Sequence, residues 1–199
     1  MNLSSPNKMI WSCFRSLQLN IGYLENETNI ETIKDYAAAN IGMSVIAVET
    51  FINMYFRVLV EEEKYKEHKN MIIEDQISQN GKRAKGLEQK LNSWPNIVLN
   101  KNINFNKGIG KEFNQIRIRR NNLTHFTSDY ESMNIEGIVI NGLADTPSFD
   151  TLSKTDGSKA LKVAKEFIEH ILSLSGVKKN QLPHAVHQWT GIVPNKSLI

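Results

Sequence analysis

The sequence has little cysteine and proline and lacks a long uninterrupted apolar run. Its 199 residues include one cysteine, Cys13, and five prolines. A single cysteine excludes an intramolecular disulfide framework and a zinc site built from several thiolates. No segment offers the roughly 18 consecutive apolar residues of a membrane-spanning helix, and residues 1–7 lack the basic start and apolar run of a signal peptide. We therefore expect a cytoplasmic protein with no membrane partner.

The charge balance does not identify a partner by itself. Lysine and arginine number 24 against 21 acidic residues, which gives a net charge of +3, too small to mark the whole surface as nucleic-acid binding. Any basic character must be local, and the most basic region runs from Lys82 to Lys107. That region is typical either of a solvated loop or of a rim that contacts phosphates.

Apolar residues recur at three- and four-residue steps along much of the chain, which predicts helices. The expected helices cover about 7–24, about 30–69, a stretch starting near Asn106, and a last helix that begins at Asp156 and stops at Gly176. Ser93–Asn96 contains a proline and is predicted to be a break. The fold class expected is all-α, an antiparallel bundle of about four to six helices with a short β or irregular excursion between the last two.

The expected domain organisation is one helical domain over residues 1–176, with an insertion at about 127–157 and a C-terminal tail at 177–199. The insertion is rich in Ser, Thr, Asp, Asn, Gly and Pro. In the tail, His184 and His187 lie three residues apart, but neither a carboxylate nor a thiol is nearby in sequence. We therefore expect no metal site there.

One helical stretch, residues 112–126, carries more polar chemistry than a core helix needs. Arg117, Asn121 and His125 are spaced by four and therefore share one helix face. Arg120 precedes His125 by five residues, which places it about 140° away around a helix. The two side chains could converge through the reach of arginine, through fraying of the helix near His125, or through a second copy of the helix.

The segment Arg120-Asn121-Asn122-Leu123-Thr124-His125 resembles the Arg-polar-x-x-x-His signature of the HEPN superfamily of small helical domains. The resemblance implies a homodimer whose paired motif helices face one cleft, acting as a metal-independent endoribonuclease with no cofactor. By that likeness His125 transfers the proton, Arg120 clamps the phosphate and Asn121 positions either group. It also implies a toxin or antiviral-defence effector, with a separate antitoxin protein as a possible partner.

Further residues are candidates for supporting roles. Arg117, Arg119 and Lys107 are candidate RNA contacts, because guanidinium and ammonium groups bind phosphate. Glu49 is a carboxylate on a largely apolar element and is a candidate for orienting a motif arginine.

Two alternatives to the nuclease stay open. The domain could be a non-catalytic HEPN-like module that binds RNA or nucleotide, or a dimerising scaffold. It could also be a helical adaptor in which the motif is accidental. In that case the arginines and His125 would only complement the dipole at a helix C-terminus.

Overall fold

The computed structural model describes residues 7–78, 83–124, 132–141 and 146–193. Across these ranges the chain is predominantly helical, so the predicted all-α class is confirmed. The described residues form eight α-helices, more than the four to six expected: α1 Lys8–Asn26, α2 Ile30–Leu59, α3 Lys69–Gln76, α4 Leu87–Leu99, α5 Gly108–Thr124, α6 Thr146–Asp150, α7 Lys154–Leu174 and α8 Leu182–Thr190. A 3-10 helix, Glu63–His68, precedes α3.

Helix α2 is the centre of the fold. It begins at the cap residue Asn29, whose side chain accepts a hydrogen bond from the Thr32 N–H at 3.1 Å. It packs against α1, α7 and α5 and touches α3, α4 and α6 as well. By length and composition alone α2 could cross a membrane, a test that the buried core helix of a globular domain also passes. The 3-10 helix replaces the last part of the predicted 30–69 helix, where the sequence is almost entirely charged.

The motif helix α5 packs against α7, as the sequence predicts. Phe113 and Phe167 stack with their ring centroids 4.2 Å apart, and both are fully buried. Near the other end of α5, Arg119 pairs with Asp156 at the start of α7. The two contacts show that α5 and α7 run antiparallel, so the C-terminal end of α5 lies beside the N-terminal end of α7.

One prediction about a chain break is wrong. Helix α4 continues through Pro95 to Leu99, because Trp94 is fully buried and its indole N–H donates to Asp75 Oδ2 at 2.8 Å. The region predicted to be a tail contains α8, which buries Leu182 and Val186 against the core. Tertiary packing outweighs the local signals of proline and polar composition.

The region between α5 and α7 contains a two-stranded antiparallel hairpin, β1 Ser132–Ile135 and β2 Ile138–Asn141, and the short helix α6. Helix α6 is attached to α2 by Lys34, whose ammonium lies 3.2 Å from Asp150 Oδ1 and 5.9 Å from the centroid of the Phe149 ring. This attachment brings α6 next to α2 and α5.

Candidate functional site

The sequence of α5 directs its side chains to three different surroundings. Phe113 and Ile116 are buried and hold the helix on the core, while Ile118 is 47% exposed on the outer side. Asn114 and Arg117 face α4, as the contact between Arg117 and Glu88 shows. With about 100° per residue, Arg120 lies within about 20° of Phe113 around the helix axis. Arg120 is therefore on the inward-facing side, one turn beyond the apolar contacts.

Arg117 is engaged by two acceptors. Its Nη1 donates to Glu88 Oε2 at 2.6 Å, and its Nη2 donates to Asn114 Oδ1 at 2.8 Å. The hydrogen bond from Arg117 is the main reason that the pKa of Glu88 lies below its ordinary value. The Arg117 side chain is only 15% exposed, whereas that of Glu88 is 61% exposed. The positive charge of Arg117 is thus neutralised within the protein.

Arg119 is also paired. Its Nη1 donates to Asp156 Oδ1, and the other oxygen of Asp156 accepts hydrogen bonds from the backbone N–H of Ser153 at 2.9 Å and from its hydroxyl at 2.6 Å. Asp156 therefore caps the N-terminus of α7 and holds Arg119 at the same time. This arrangement gives Arg119 a structural role in joining α5 to α7.

Arg120 differs from its two neighbours. It is partly buried, yet its side chain makes no hydrogen bond or ion pair with any of the residues that the structure describes. Asn121, one turn after Arg117, is partly buried as well and makes no side-chain hydrogen bond within the same ranges. His125 lies outside the described residues, one position beyond the end of α5 at Thr124. The structure therefore places Arg120 and Asn121 near the C-terminal end of α5, about 100° apart around the helix axis, without locating the third motif residue.

Two predicted site residues form no ion pair with the described residues of the motif. Lys107 is exposed and precedes α5, so the 13 residues to Arg120 separate the two Cα atoms by roughly 20 Å along the helix. Glu49 makes no ion pair with a described arginine; its charge acts on Lys90 of α4. Within one protomer Lys107 is therefore remote from Arg120, and Glu49 forms no ion pair with Arg120.

Lys90 is a buried cation that sequence reasoning did not single out. Its side chain is almost fully buried, its Nζ donates to Asn53 Oδ1 at 2.8 Å, and it lies 5.4 Å from the centroid of the Trp94 ring. Burial lowers the pKa of Lys90, and the negative charges of Glu49 and Asp75 act in the opposite direction. Lys90 holds α4 against α2.

A small pocket between α4 and α5 is a second feature that the sequence did not predict. It has a volume of about 90 Å³ and is lined by Glu88, Leu91, Asn92, Phe105, Asn114 and Arg117. The spacing of Glu88, Leu91 and Asn92 indicates one face of a helix, but the sequence carries no signal that this face meets Arg117.

Within the described ranges no group of three or more His, Cys, Asp and Glu side chains is placed to hold a metal ion. No protein family, curated protein or solved structure matches this chain.

Proposed function

We propose that this protein is a HEPN-like, metal-independent endoribonuclease that acts as a cytoplasmic homodimer. The observation that carries the proposal is the state of the three arginines. Arg117 and Arg119 are each paired with a carboxylate, whereas Arg120 has no charged partner among the described residues. A guanidinium that is partly buried and unpaired is available to an anion, and its planar donors match the oxygens of a phosphate.

The proposed chemistry uses the motif residues in three roles. His125 takes the proton from the 2′-hydroxyl of RNA, because its ordinary pKa lies near neutrality. The 2′-oxygen attacks the adjacent phosphorus, the bond to the 5′-oxygen breaks, and a proton is delivered to that leaving oxygen by the partner's copy of the motif histidine. Arg120 stabilises the negative charge of the phosphorane, and Asn121 orients His125 or the phosphate. The products are a 2′,3′-cyclic phosphate and a 5′-hydroxyl.

A dimer through α5 has support from the outer side of this helix. Phe113 and Ile116 are used by the protomer's own core, but Ile118 is exposed in the middle of the helix. A second α5 packed there would cover Ile118 and bring the two copies of Asn121 to the interface, since Asn121 lies about 60° from Ile118 around the helix axis. Arg120 lies about 160° from Ile118, so it would serve the partner's His125 only by reaching around the C-terminal end of α5.

The test is a cleavage assay in EDTA on mixed cellular RNA, with analysis of the new ends. We expect cyclic-phosphate ends from the wild type, and a loss of roughly 100-fold or more in rate for His125→Ala and Arg120→Ala. Arg120→Lys keeps the charge but loses the planar fork and should recover only part of the rate.

Lys111→Ala is the matched control, because Lys111 is an exposed cation on the same helix. Its rate should stay near that of the wild type. Equal rates for the wild type and His125→Ala would remove the nuclease mechanism. RNA binding without cleavage by a demonstrated dimer would instead favour a binding module or scaffold. A role as a toxin or defence effector restrained by an antitoxin follows only if cleavage is established.

A further inference from the structure

The pocket between α4 and α5 has the chemistry of a site for a flat ligand with a polar edge. Its apolar walls are the partly exposed ring of Phe105 and the side chain of Leu91, and its polar groups come from Glu88, Asn92 and Arg117. Ligand cavities for drug-sized molecules have volumes of roughly 300–1,000 Å³. A cavity of about 90 Å³ therefore admits one edge of a base and not a whole nucleotide.

The pairing of charges in the pocket argues against a phosphate as its ligand. Arg117 is neutralised by Glu88 and hydrogen-bonded to Asn114, so a second anion would have to displace a carboxylate at 2.6 Å from the guanidinium. Unused hydrogen-bonding groups remain. Oε1 of Glu88 and the amide of Asn92 make no hydrogen bond within the part of the chain that the structure describes.

The loop that carries Phe105 is held against α5 by a close backbone contact. A Cβ atom on Gly110 would lie 2.3 Å from the Asn104 carbonyl oxygen, so this approach requires glycine. Asn104 Oδ1 in turn accepts a hydrogen bond from the Asn106 N–H at 2.9 Å. The Phe105 ring is therefore fixed beside the polar groups of α5.

We propose that this pocket binds one nucleobase of the RNA, stacked on Phe105 and hydrogen-bonded to Glu88 and Asn92. The identity of the ligand as RNA rests on the proposed function. Aromatic side chains are the usual platforms for unpaired RNA bases. The pocket lies one helical turn before Asn121, so a base held there belongs to a nucleotide close to the reacting phosphate.

The proposal also predicts which bases bind. An ionised carboxylate can only accept hydrogen bonds, so Glu88 favours bases that present an amino group. Adenine, cytosine and guanine have one, whereas uracil offers carbonyl oxygens and a single ring N–H. The pocket should therefore disfavour uracil.

The test uses the four ribonucleosides as probes and saturation-transfer NMR on the full chain, so it does not depend on cleavage. The wild type should bind adenosine, cytidine and guanosine at least several-fold more tightly than uridine. Phe105→Ala should weaken this binding by roughly tenfold or more. Asn92→Ala tests the same pocket at an exposed position that is less critical to folding. Glu88→Gln adds donors and should reduce the discrimination against uridine. Gln115→Ala, at an exposed position of α5, is the control and should change nothing.

The outcomes separate this proposal from the nuclease. Suppose that the wild type cleaves RNA in EDTA and yet binds no nucleoside, or binds nucleosides no more tightly than Phe105→Ala does. Either result overturns the proposed base pocket and leaves the nuclease in place. Nucleoside binding that needs Phe105, without cleavage, supports the pocket and overturns the nuclease. Uridine bound as tightly as cytidine overturns the assigned role of Glu88.

Discussion

Replacing Arg119 with methionine should lower stability and leave RNA cleavage unchanged, because the guanidinium is bound to Asp156. Methionine keeps the aliphatic stem and removes only the charge and its hydrogen bond. The pair is mostly shielded from solvent, with side-chain exposures of 31% for Arg119 and 20% for Asp156. We therefore expect Arg119→Met to cost roughly 0.5–1 kcal/mol of unfolding free energy.

Asp156→Ala should cost more, since it removes the ion pair and also the hydrogen bonds to Ser153 that cap α7. Loss of a helix cap costs about 1 kcal/mol, so the total should be roughly 1.5–2 kcal/mol. In the double variant Arg119→Met/Asp156→Ala, the second substitution removes no further ion pair. The cost of the double variant should therefore equal that of Asp156→Ala alone, which corresponds to a coupling energy of about 0.5–1 kcal/mol.

Urea-induced unfolding followed by circular dichroism at 222 nm measures these values, and the RNA cleavage assay is run on the same samples. Arg119→Met should lower the melting temperature by about 1–4 °C. Arg15→Met, at an exposed position on α1, is the control and should stay within about 0.5 kcal/mol of the wild type. The structural role would be refuted if the costs were additive and Arg119→Met left the urea midpoint unchanged but weakened RNA binding. Arg119 would then be an RNA contact.

Three further predictions follow from the core and from the outer side of α5. Lys90→Ala should cost roughly 2–3 kcal/mol of unfolding free energy, because it leaves a cavity and an unpaired Asn53 oxygen. Lys90→Met should cost less than about 1 kcal/mol. Urea midpoints that fall equally in the two variants would contradict this prediction. Burial lowers the pKa of His170 from its ordinary value of 6.5, so the unfolded chain binds more protons below that pH and stability should fall on acidification. His170→Gln should reduce the dependence of the melting temperature on pH in that range. An unchanged slope would contradict the assigned role of His170. Ile118→Glu should convert a dimer to a monomer in light scattering and abolish cleavage, and a persistent active dimer would place the interface elsewhere.

The sequence by itself determined the helical class and most of the long helices. Periodic apolar residues predicted α1 as 7–24 where the helix spans Lys8–Asn26, and they placed the last helix against the motif helix. These features follow from patterns within one turn or two of helix, which a single stretch of sequence contains. The sequence also singled out Arg120 and Asn121 as chemistry that a core helix does not require.

Only the tertiary structure decided which charges are available. Arg117 and Glu88 are 29 positions apart, and Arg119 and Asp156 are 37 apart, so no local pattern reveals that these arginines are neutralised while Arg120 has no charged partner among the described residues. The same holds for the continuation of α4 through Pro95 and for the packing of α8, where burial outweighs local preference. Ion pairs and burial depend on distances in space that are fixed only after the helices have packed. The sequence therefore identified three candidate arginines, and the tertiary structure showed which of them are paired with carboxylates.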